Sequence, residues 1–248
     1  MDLFYTPSHS IDLTGGTLLV EGEEYFHMTK VLRKKEGETV HFTDGDGLSI
    51  TAEITKIRRD GLSAVIISEE RVAPPTTKVT VAMSLLKSSQ RFDFFLEKAT
   101  ELGVSGIIPM VTDRTVSQPK AEKVDKKLQR WKKILVSASL QTKRYHLPEI
   151  TKPLLFNEVL GLGGYDVKLI SYELSDAAPR ASFTGKNVLF IVGGEGGFTE
   201  EEVRCSCKRG FDEISFGHSI LRAETAGVFA VAMVRSQVLA NGAQGEWL

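Results

Sequence analysis

Two glycine-rich turns late in the chain have the residue types and spacing best suited to chemistry. Val188–Val192 has the composition of a buried strand, and Thr199, which three glutamates follow, is typical of a helix start. The intervening GGEGGF is therefore predicted to be a strand-to-helix turn. The pattern repeats at once, with a strand predicted over Glu213–Phe216, a turn GHSILR and a helix from about Glu224. Turns of this kind at the carboxyl ends of neighbouring strands form the ligand site of an open α/β sheet.

The amino-acid sequence of these turns excludes two common kinds of nucleotide-binding site. GGEGG is not followed by GKS or GKT, as a P-loop requires, and the dinucleotide motif GxGxxG is absent. What remains is a turn that holds a ligand through backbone groups, because glycine lets the main chain approach closely. Two tight turns without a ligand are the alternative. Cys205 and Cys207 are too close together on a predicted helix to form a disulfide, and we predict no metal site.

The composition is that of an ordinary globular protein. The chain has 248 residues, of which 42% are hydrophobic and 25% are charged, and its formal net charge is −1. This length suits one large or two modest domains. No apolar run approaches the roughly 20 residues that cross a bilayer, and the start of the sequence lacks the features of a signal peptide. We therefore expect a cytoplasmic protein with no membrane segment.

Local basic clusters stand out against the nearly neutral total. Residues 120–144 include nine Lys or Arg and only two acids, and a second cluster spans Lys30–Lys35. A solvated helix face explains either cluster alone. Two clusters in different halves of the chain favour a nucleic-acid surface. The predicted RNA contacts are Arg33, Lys34, Lys126, Lys127, Arg130 and Lys143.

The periodicity of the sequence divides the chain at a proline pair. Before it, turn signals such as DGDG separate short strands in the pattern of a compact β barrel of the type that holds RNA. The prolines within Ala73–Thr76 force an extended connection, so the predicted domains are residues 1–72 and 73–248. The elements predicted in the first domain are strands over Thr17–Val20, Thr39–Thr43, Ser49–Ile57 and Leu62–Ile67, and a helix over Glu23–Leu32.

Strands and helices alternate after the boundary. This pattern predicts an α/β domain with a mostly parallel sheet and helices on both faces. The last helix, about Glu224–Ala240, is apolar around its circumference from Ala226 to Val234, so it is either central or shared with a second subunit. The other predicted elements are strands over Lys78–Leu85, Gly106–Val111 and Asp166–Tyr172, a helix over Gln90–Leu102, and a long helix whose apolar face consists of Val124, Leu128, Trp131, Leu135 and Ala138.

Five stretches together resemble one known family. FHMTKVLR, RFDFFLEKATELGVSGIIP, SASLQTKR, FIVGGEGGFTEEEV and FGHSILRAETA occur in the order found in the RsmE family of ribosomal RNA uridine N3-methyltransferases, part of the SPOUT superfamily. The resemblance covers nearly the whole chain. Two positions depart from the family: Gly194 stands where proline is usual, and Leu140 stands where glutamate is usual.

The resemblance implies a fold, a cofactor and partners. The expected fold is a small PUA-like β barrel followed by a SPOUT domain with a deep trefoil knot, and the expected assembly is a homodimer. The expected substrate is 16S ribosomal RNA in the small ribosomal subunit, and the methyl donor is S-adenosylmethionine, held mainly by main-chain groups. The cofactor residues implied are Val192, Gly193, Gly194, Glu195, Gly196, Gly197, Phe216, Gly217, Ser219, Ile220 and Leu221.

The chemistry of uracil N3 suggests which side chains act. The N3 lone pair becomes available only when the imide proton leaves, and a cation near the uracil oxygens stabilises the resulting anion. Arg222 is our first candidate, and Arg91 and Arg144 are the next. Glu195 or Glu224 is placed to orient the base or relay the proton, although Glu224 suits a helix-capping role equally well.

Two other functions fit the same sequence. A ribose 2′-O-methyltransferase of the same fold would use a hydroxyl as its nucleophile rather than a ring nitrogen. A ribosome-assembly factor that binds RNA without catalysis would retain only a vestigial pocket.

Overall fold

The computed structural model describes residues 2–116, 121–177 and 181–242. These residues form two compact units. The first contains the chain up to Pro74 together with Ser139–Leu147, and the second contains Pro75–Ala138 and the chain from Pro148 onward. The boundary predicted from the proline pair had placed Ser139–Leu147 in the second domain.

The first unit is built on a six-stranded sheet in the order β1-β4-β5-β6-β3-β2. β1 and β4 are parallel, and the other neighbours are antiparallel. Alternate residues of β5 are buried, which gives this sheet one core face that includes Phe4, Phe42, Ile50 and Ile54. The strands are β1 (Leu3–Tyr5), β2 (Ile11–Asp12), β3 (Thr17–Glu21), β4 (Thr39–Thr43), β5 (Leu48–Ile57) and β6 (Gly61–Arg71).

The helix predicted between β3 and β4 consists of two parts. α1 (Gly22–Phe26) is a short α-helix, and it continues into a π-helical turn over His27–Val31. Two residues later Arg33 adopts a left-handed backbone with φ of 56°. The sequence signals a helix here, but its apolar spacing does not reveal the wider turn.

The first unit also holds Ser139–Leu147 against its sheet. The backbone N–H of Gly47 donates to the carbonyl oxygen of Tyr145 at 2.9 Å, and the N–H of Leu147 donates to the carbonyl oxygen of Gly45 at 2.9 Å. A Cβ on Gly45 would lie 2.5 Å from the Leu147 side chain. This close contact explains why glycine occupies the turn before β5.

The second unit is built on a seven-stranded parallel sheet in the order β10-β8-β7-β12-β11-β13, with β9 paired to β8. The expected parallel sheet is confirmed. One detail of the prediction is wrong: β11 lies between β12 and β13, so the two glycine turns do not follow neighbouring strands. The strands are β7 (Lys78–Ser84), β8 (Gly106–Val111), β9 (Glu149–Ile150), β10 (Leu154–Leu155), β11 (Val167–Ser171), β12 (Asn187–Val192) and β13 (Asp212–Ile214).

Helices cover both faces of this sheet. Residues of β12 alternate between two cores: Phe190 packs with Phe95 and Val231 in one, and Ile191 packs with Val203 in the other. Double coverage explains why the strand reads as a continuous apolar run. The helices are α2 (Ser89–Glu101), α3 (Ala121–Gln141), α4 (Phe156–Leu160), α5 (Glu200–Lys208) and α6 (Ala223–Ala240).

The last helix, α6, packs closely on the sheet and on α2. A Cβ on Gly227 would lie 2.4 Å from Met83 Cε and 2.7 Å from Phe95 Cε2, so only glycine permits this approach. Phe229, on another side of α6, remains 43% exposed. The helix is therefore buried on one face and partly open on another. In the described ranges no helix is both long and apolar enough to cross a membrane.

Candidate active site

A cavity of about 340 Å³ lies at the carboxyl ends of β11, β12 and β13. Because all the strands of this sheet are parallel, these ends meet at one edge, where open α/β sheets bind ligands. Three turns line the cavity: residues 171–173 after β11, the first glycine turn (residues 193–198) after β12, and the second glycine turn (residues 215–222) after β13. The sequence predicted the last two turns only.

Hydrogen bonds fix the first glycine turn at both ends. The N–H of Gly197 donates to the carbonyl oxygen of Gly194 at 3.1 Å. Thr199 caps α5, as its hydroxyl accepts the N–H of Glu202 at 3.1 Å. The Glu202 carboxylate in return accepts the Thr199 N–H at 2.8 Å and, through its other oxygen, the Asp113 N–H at 2.9 Å. This reciprocal cap satisfies N–H groups that the helix itself leaves unpaired.

Close contacts explain the glycines of this turn. Gly197 has a left-handed backbone with φ of +62°, and a Cβ there would lie 2.6 Å from Glu173 Oε1. A Cβ on Gly194 would lie 3.1 Å from Ser84 Oγ. Gly196 is the exception among the predicted cofactor residues, because it does not line the cavity. Its carbonyl oxygen accepts a hydrogen bond from Arg114 Nη1 at 2.8 Å instead.

The second glycine turn is more open than the first. Gly217 has φ of +106°, no atom lies within 4 Å of the point that a Cβ would occupy there, and its N–H donates to Ser215 Oγ at 3.2 Å. Ile220 lines the cavity although its side chain is 86% exposed. The ring of Phe216 packs edge-on against Phe229, with centroids 5.1 Å apart. These contacts secure the start of the turn and leave its tip free.

The turn after β11 was not predicted from the sequence. Ser171, Tyr172 and Glu173 line the cavity, and the Tyr172 N–H donates to the carbonyl oxygen of Ile214 at 3.0 Å. Burial raises the pKa of Tyr172, and the nearby carboxylates, including Glu173, act in the same direction. The available signal was a polar SYE directly after a buried strand. Other lining residues that were not predicted are Phe198, Ser215, His218, Ala223 and Ala226.

Three of the four predicted catalytic residues meet at the cavity. Arg222, directly before α6, lines it with an exposed side chain, and Arg91 on α2 lines it as well. Glu195 lines it too, and its carboxylate accepts the backbone N–H of Lys87 at 3.1 Å. Arg144 differs from the prediction, since it lies in the first unit with a buried side chain and is not part of the cavity lining.

The predicted RNA contacts of the first unit are surface residues. Arg33 and Lys143 are exposed, and both have left-handed backbones, with φ of 56° and 58°. Lys34 is more enclosed and forms ion pairs with Asp2 at 3.4 Å and Glu38 at 3.6 Å. Arg33 and Lys143 therefore have charges more available to a phosphate than that of Lys34.

The predicted RNA contacts on α3 also differ in how available their charges are to a phosphate. Lys126 is exposed and Lys127 is half-buried. Arg130 forms an ion pair with Asp93. Burial raises the pKa of Asp93 and Arg130 lowers it, and burial has the larger influence. Lys126 and Lys127 are therefore the better candidates on α3. Within the described ranges, no three His, Cys, Asp or Glu side chains are grouped as metal ligands, and Cys205 and Cys207 are free thiols.

Comparison with known proteins decides the family. The RNA methyltransferase domain family matches residues 73–235, more than half of the chain, and the RNA methyltransferase PUA domain family matches residues 20–67. The chain is also 30% identical to the ribosomal RNA small subunit methyltransferase E of Bacillus subtilis, over 89% of this chain and 90% of that protein. This chain belongs to the ribosomal RNA small subunit methyltransferase E family.

Two solved structures with bound S-adenosylmethionine share the fold. The Neisseria gonorrhoeae ribosomal RNA small subunit methyltransferase E, bound to S-adenosylmethionine, is 29% identical, with a TM-score of 0.83 over 95% of this chain and 97% of that one. A putative methyltransferase from Legionella pneumophila in complex with the same cofactor is 28% identical, with a TM-score of 0.83 over 94% of this chain and 96% of that one. The expected PUA-like unit followed by a SPOUT-type α/β methyltransferase domain is confirmed.

Proposed function

We propose that this protein transfers the methyl group of S-adenosylmethionine to N3 of a uridine in 16S ribosomal RNA. The observation that carries the proposal is the cavity that three strand-end turns form in a methyltransferase E fold. Support comes from relatives named for methylation of small-subunit ribosomal RNA and from two similar structures that contain S-adenosylmethionine.

The cavity suits a ligand of the size and polarity of S-adenosylmethionine. A volume of about 340 Å³ falls within the range of small-molecule sites. The first glycine turn offers main-chain groups that no Cβ screens, since Gly193, Gly194 and Gly197 all line the cavity. We assign the cofactor to Val192–Glu195 and Gly197 on one side and to Phe216, Gly217, Ser219, Ile220 and Leu221 on the other.

The proposed reaction needs an anionic uracil. Bound S-adenosylmethionine supplies an electrophilic methyl group on a positively charged sulfur. The chain's own task is to stabilise the uracil that has lost its N3 proton, and two arginines, Arg222 and Arg91, line the cavity. Fixed cations near the uracil oxygens favour this anion. Glu195, tied to the backbone of Lys87, is placed to orient the base.

The RNA surface and the assembly state belong to the same proposal. Arg33, Lys34 and Lys143 in the first unit and Lys126, Lys127 and Arg130 on α3 are the proposed phosphate contacts. We propose a homodimer that uses the open face of α6, because Phe229 there is a half-exposed aromatic ring. A protein that modifies ribosomal subunits would work in the cytoplasm, and the trefoil knot implied by the family resemblance is part of the proposed SPOUT domain.

One assay tests this function directly. Tritium from labelled S-adenosylmethionine should be transferred to small ribosomal subunits from a strain that lacks this protein, and mass spectrometry of the digested RNA should find the label on uracil N3. Subunits from a strain that has the protein are the control, since their site is already methylated. Label on a ribose oxygen would favour the 2′-O-methyltransferase. Calorimetry without any cofactor binding at millimolar concentration would favour the assembly factor.

A further inference from the structure

We propose that Glu224 is a positioning residue that holds the guanidinium group of Arg91 at the cavity. The inference rests on the proposed function, and it assigns a role to a side chain that does not itself line the cavity. Glu224 lies in the first turn of α6 and is only 8% exposed. Its Oε1 lies 3.7 Å from Arg91 Nε, while its Oε2 is buried and has no hydrogen-bond partner in the described part of the chain.

The burial of this carboxylate requires an explanation. A charged group that leaves water without full pairing is strongly destabilising, so such groups persist where they are paired or have a function. The sequence suggested helix capping, but the start of α6 has no side-chain capping hydrogen bond. The helix dipole favours an acid in this turn, but this effect is smaller than the cost of burying a charge. Arg91 is the only cation with which Glu224 forms an ion pair in the described ranges.

Close helix packing sets the distance between the two side chains. Gly227 follows Glu224 by one helical turn, and a Cβ there would lie 2.7 Å from Phe95 Cε2. Phe95 in turn follows Arg91 by about one turn of α2. Because residues three or four apart share a helix face, contact at Gly227 brings Glu224 and Arg91 together one turn earlier. The ion pair is thus built into the packing of α2 on α6.

This arrangement leaves Arg91 able to act on a ligand. Its side chain is 41% exposed and lines the cavity, and the 3.7 Å separation from Glu224 leaves guanidinium N–H donors available. An arginine whose position is fixed in advance stabilises developing negative charge more effectively than a mobile one. Arg222, by comparison, is exposed and forms no ion pair in the described residues. Of the two cavity arginines, Arg91 is the one that a buried partner holds in place.

A double-mutant cycle tests the proposal on the full-length protein. Arg91→Ala, Glu224→Gln and the double variant are compared with wild type for kcat on small ribosomal subunits, for the dissociation constant of S-adenosylmethionine and for melting temperature. We expect Glu224→Gln to lower kcat by about 10- to 100-fold, as a misplaced group does, with an unchanged dissociation constant. The double variant should be no slower than Arg91→Ala alone, because Glu224 acts through Arg91.

Two further variants separate positioning from simple structural support. Glu224→Asp keeps the charge and should recover part of the lost kcat, and it also serves if Glu224→Gln folds poorly. Glu101→Gln, which removes an acid paired with Lys98 on the same helix α2, should leave kcat unchanged. The inference is overturned if Glu224→Gln slows the Arg91→Ala background as much as it slows wild type, or if it lowers only the melting temperature. An inactive wild type would refute the proposed function itself, whereas active but additive variants would refute this inference alone.

Discussion

The two glycine turns of the cavity share a position in the fold but differ in how they are held. In the first turn, Gly193, Gly194 and Gly197 each have another group within 3.3 Å of where a Cβ would lie, and the Thr199 cap closes the turn. In the second turn nothing lies within 4 Å of a Cβ on Gly217. One turn is fixed by its surroundings, and the other is shaped mainly by its own backbone.

The difference suggests that the two turns have different functional roles. A rigid turn loses little entropy when it binds, so it suits the recognition of a ligand through backbone groups. An open turn presents side chains, such as Arg222 and His218, to whatever enters the cavity. We therefore expect changes to the backbone of the first turn to affect cofactor binding, and changes to the side chains of Arg222 and His218 in the second turn to affect methyl transfer.

The largest effect should come from the second turn. Arg222→Ala removes a cation from the proposed uracil site, and loss of one such group costs about 100-fold or more in kcat. The dissociation constant of S-adenosylmethionine should remain within about twofold of wild type, because Arg222 is not one of the proposed cofactor residues of either turn. Steady-state kinetics and calorimetry measure the two quantities. Turnover equal to that of wild type, or a large loss of cofactor affinity, would contradict these different roles.

Gly197→Ala should have a smaller effect, and on cofactor affinity rather than on kcat. The left-handed backbone at this position costs an alanine about 1–2 kcal/mol, and its Cβ would press on Glu173. Cofactor affinity should therefore fall by about 5- to 30-fold, as calorimetry would detect. Gly164→Ala is the matched control: it also places an alanine in a left-handed backbone, with φ of +82°, but Gly164 does not line the cavity, so the affinity should change by less than about twofold. The comparison fails if both variants lose affinity equally.

Binding of RNA should be separable from both turns. Reversing two charges on α3 with Lys126→Glu and Lys127→Glu should weaken RNA binding most at low salt and reduce the slope of log affinity against log salt by about two. Cofactor affinity should not change. Lys208→Glu on α5 serves as the control charge reversal. Unchanged RNA affinity at low salt would identify the α3 cluster as an ordinary solvated helix face.

The smallest predicted effect concerns stability. Thr199→Ala removes the cap that closes the first turn and should cost about 1 kcal/mol, or roughly 2–4 °C in melting temperature. Ile220→Ser in the open turn alters an exposed side chain and should change the free energy of unfolding by less than about 0.5 kcal/mol. Thermal denaturation of both variants measures the contrast. A greater loss of unfolding free energy in Ile220→Ser than in Thr199→Ala would show that the second turn is packed.

Long apolar runs made much of the methyltransferase unit predictable. The strand predicted over Gly106–Val111 has those bounds in the structure, and the helix predicted over Gln90–Leu102 runs over Ser89–Glu101. Buried strands and amphipathic helices have strong periodic signals. The two glycine turns were located because each connects such an element to the next. Strands of two residues, such as Ile11–Asp12, were missed because they are too short to show a period.

Features that depend on tertiary contacts were not predictable in the same way. The position of β11 between β12 and β13 decides that Glu173 faces the cavity, yet no local signal gives the order of strands. Gly196 belongs to the same glycine-rich stretch as its neighbours, but its carbonyl oxygen accepts a hydrogen bond from Arg114. Arg144 carries a charge that suits catalysis, and only the fold reveals that it is buried in the other unit.

The contribution of Ser139–Leu147 to the first unit has a consequence for protein synthesis. A nascent chain that has emerged only as far as Pro74 lacks the backbone groups of Tyr145 and Leu147 that pair with Gly47 and Gly45. Because domains generally fold as units while the chain is being made, completion of the first unit must wait for some seventy further residues. Any attempt to express the first unit by itself, or to graft it onto another enzyme, would have to include that later segment.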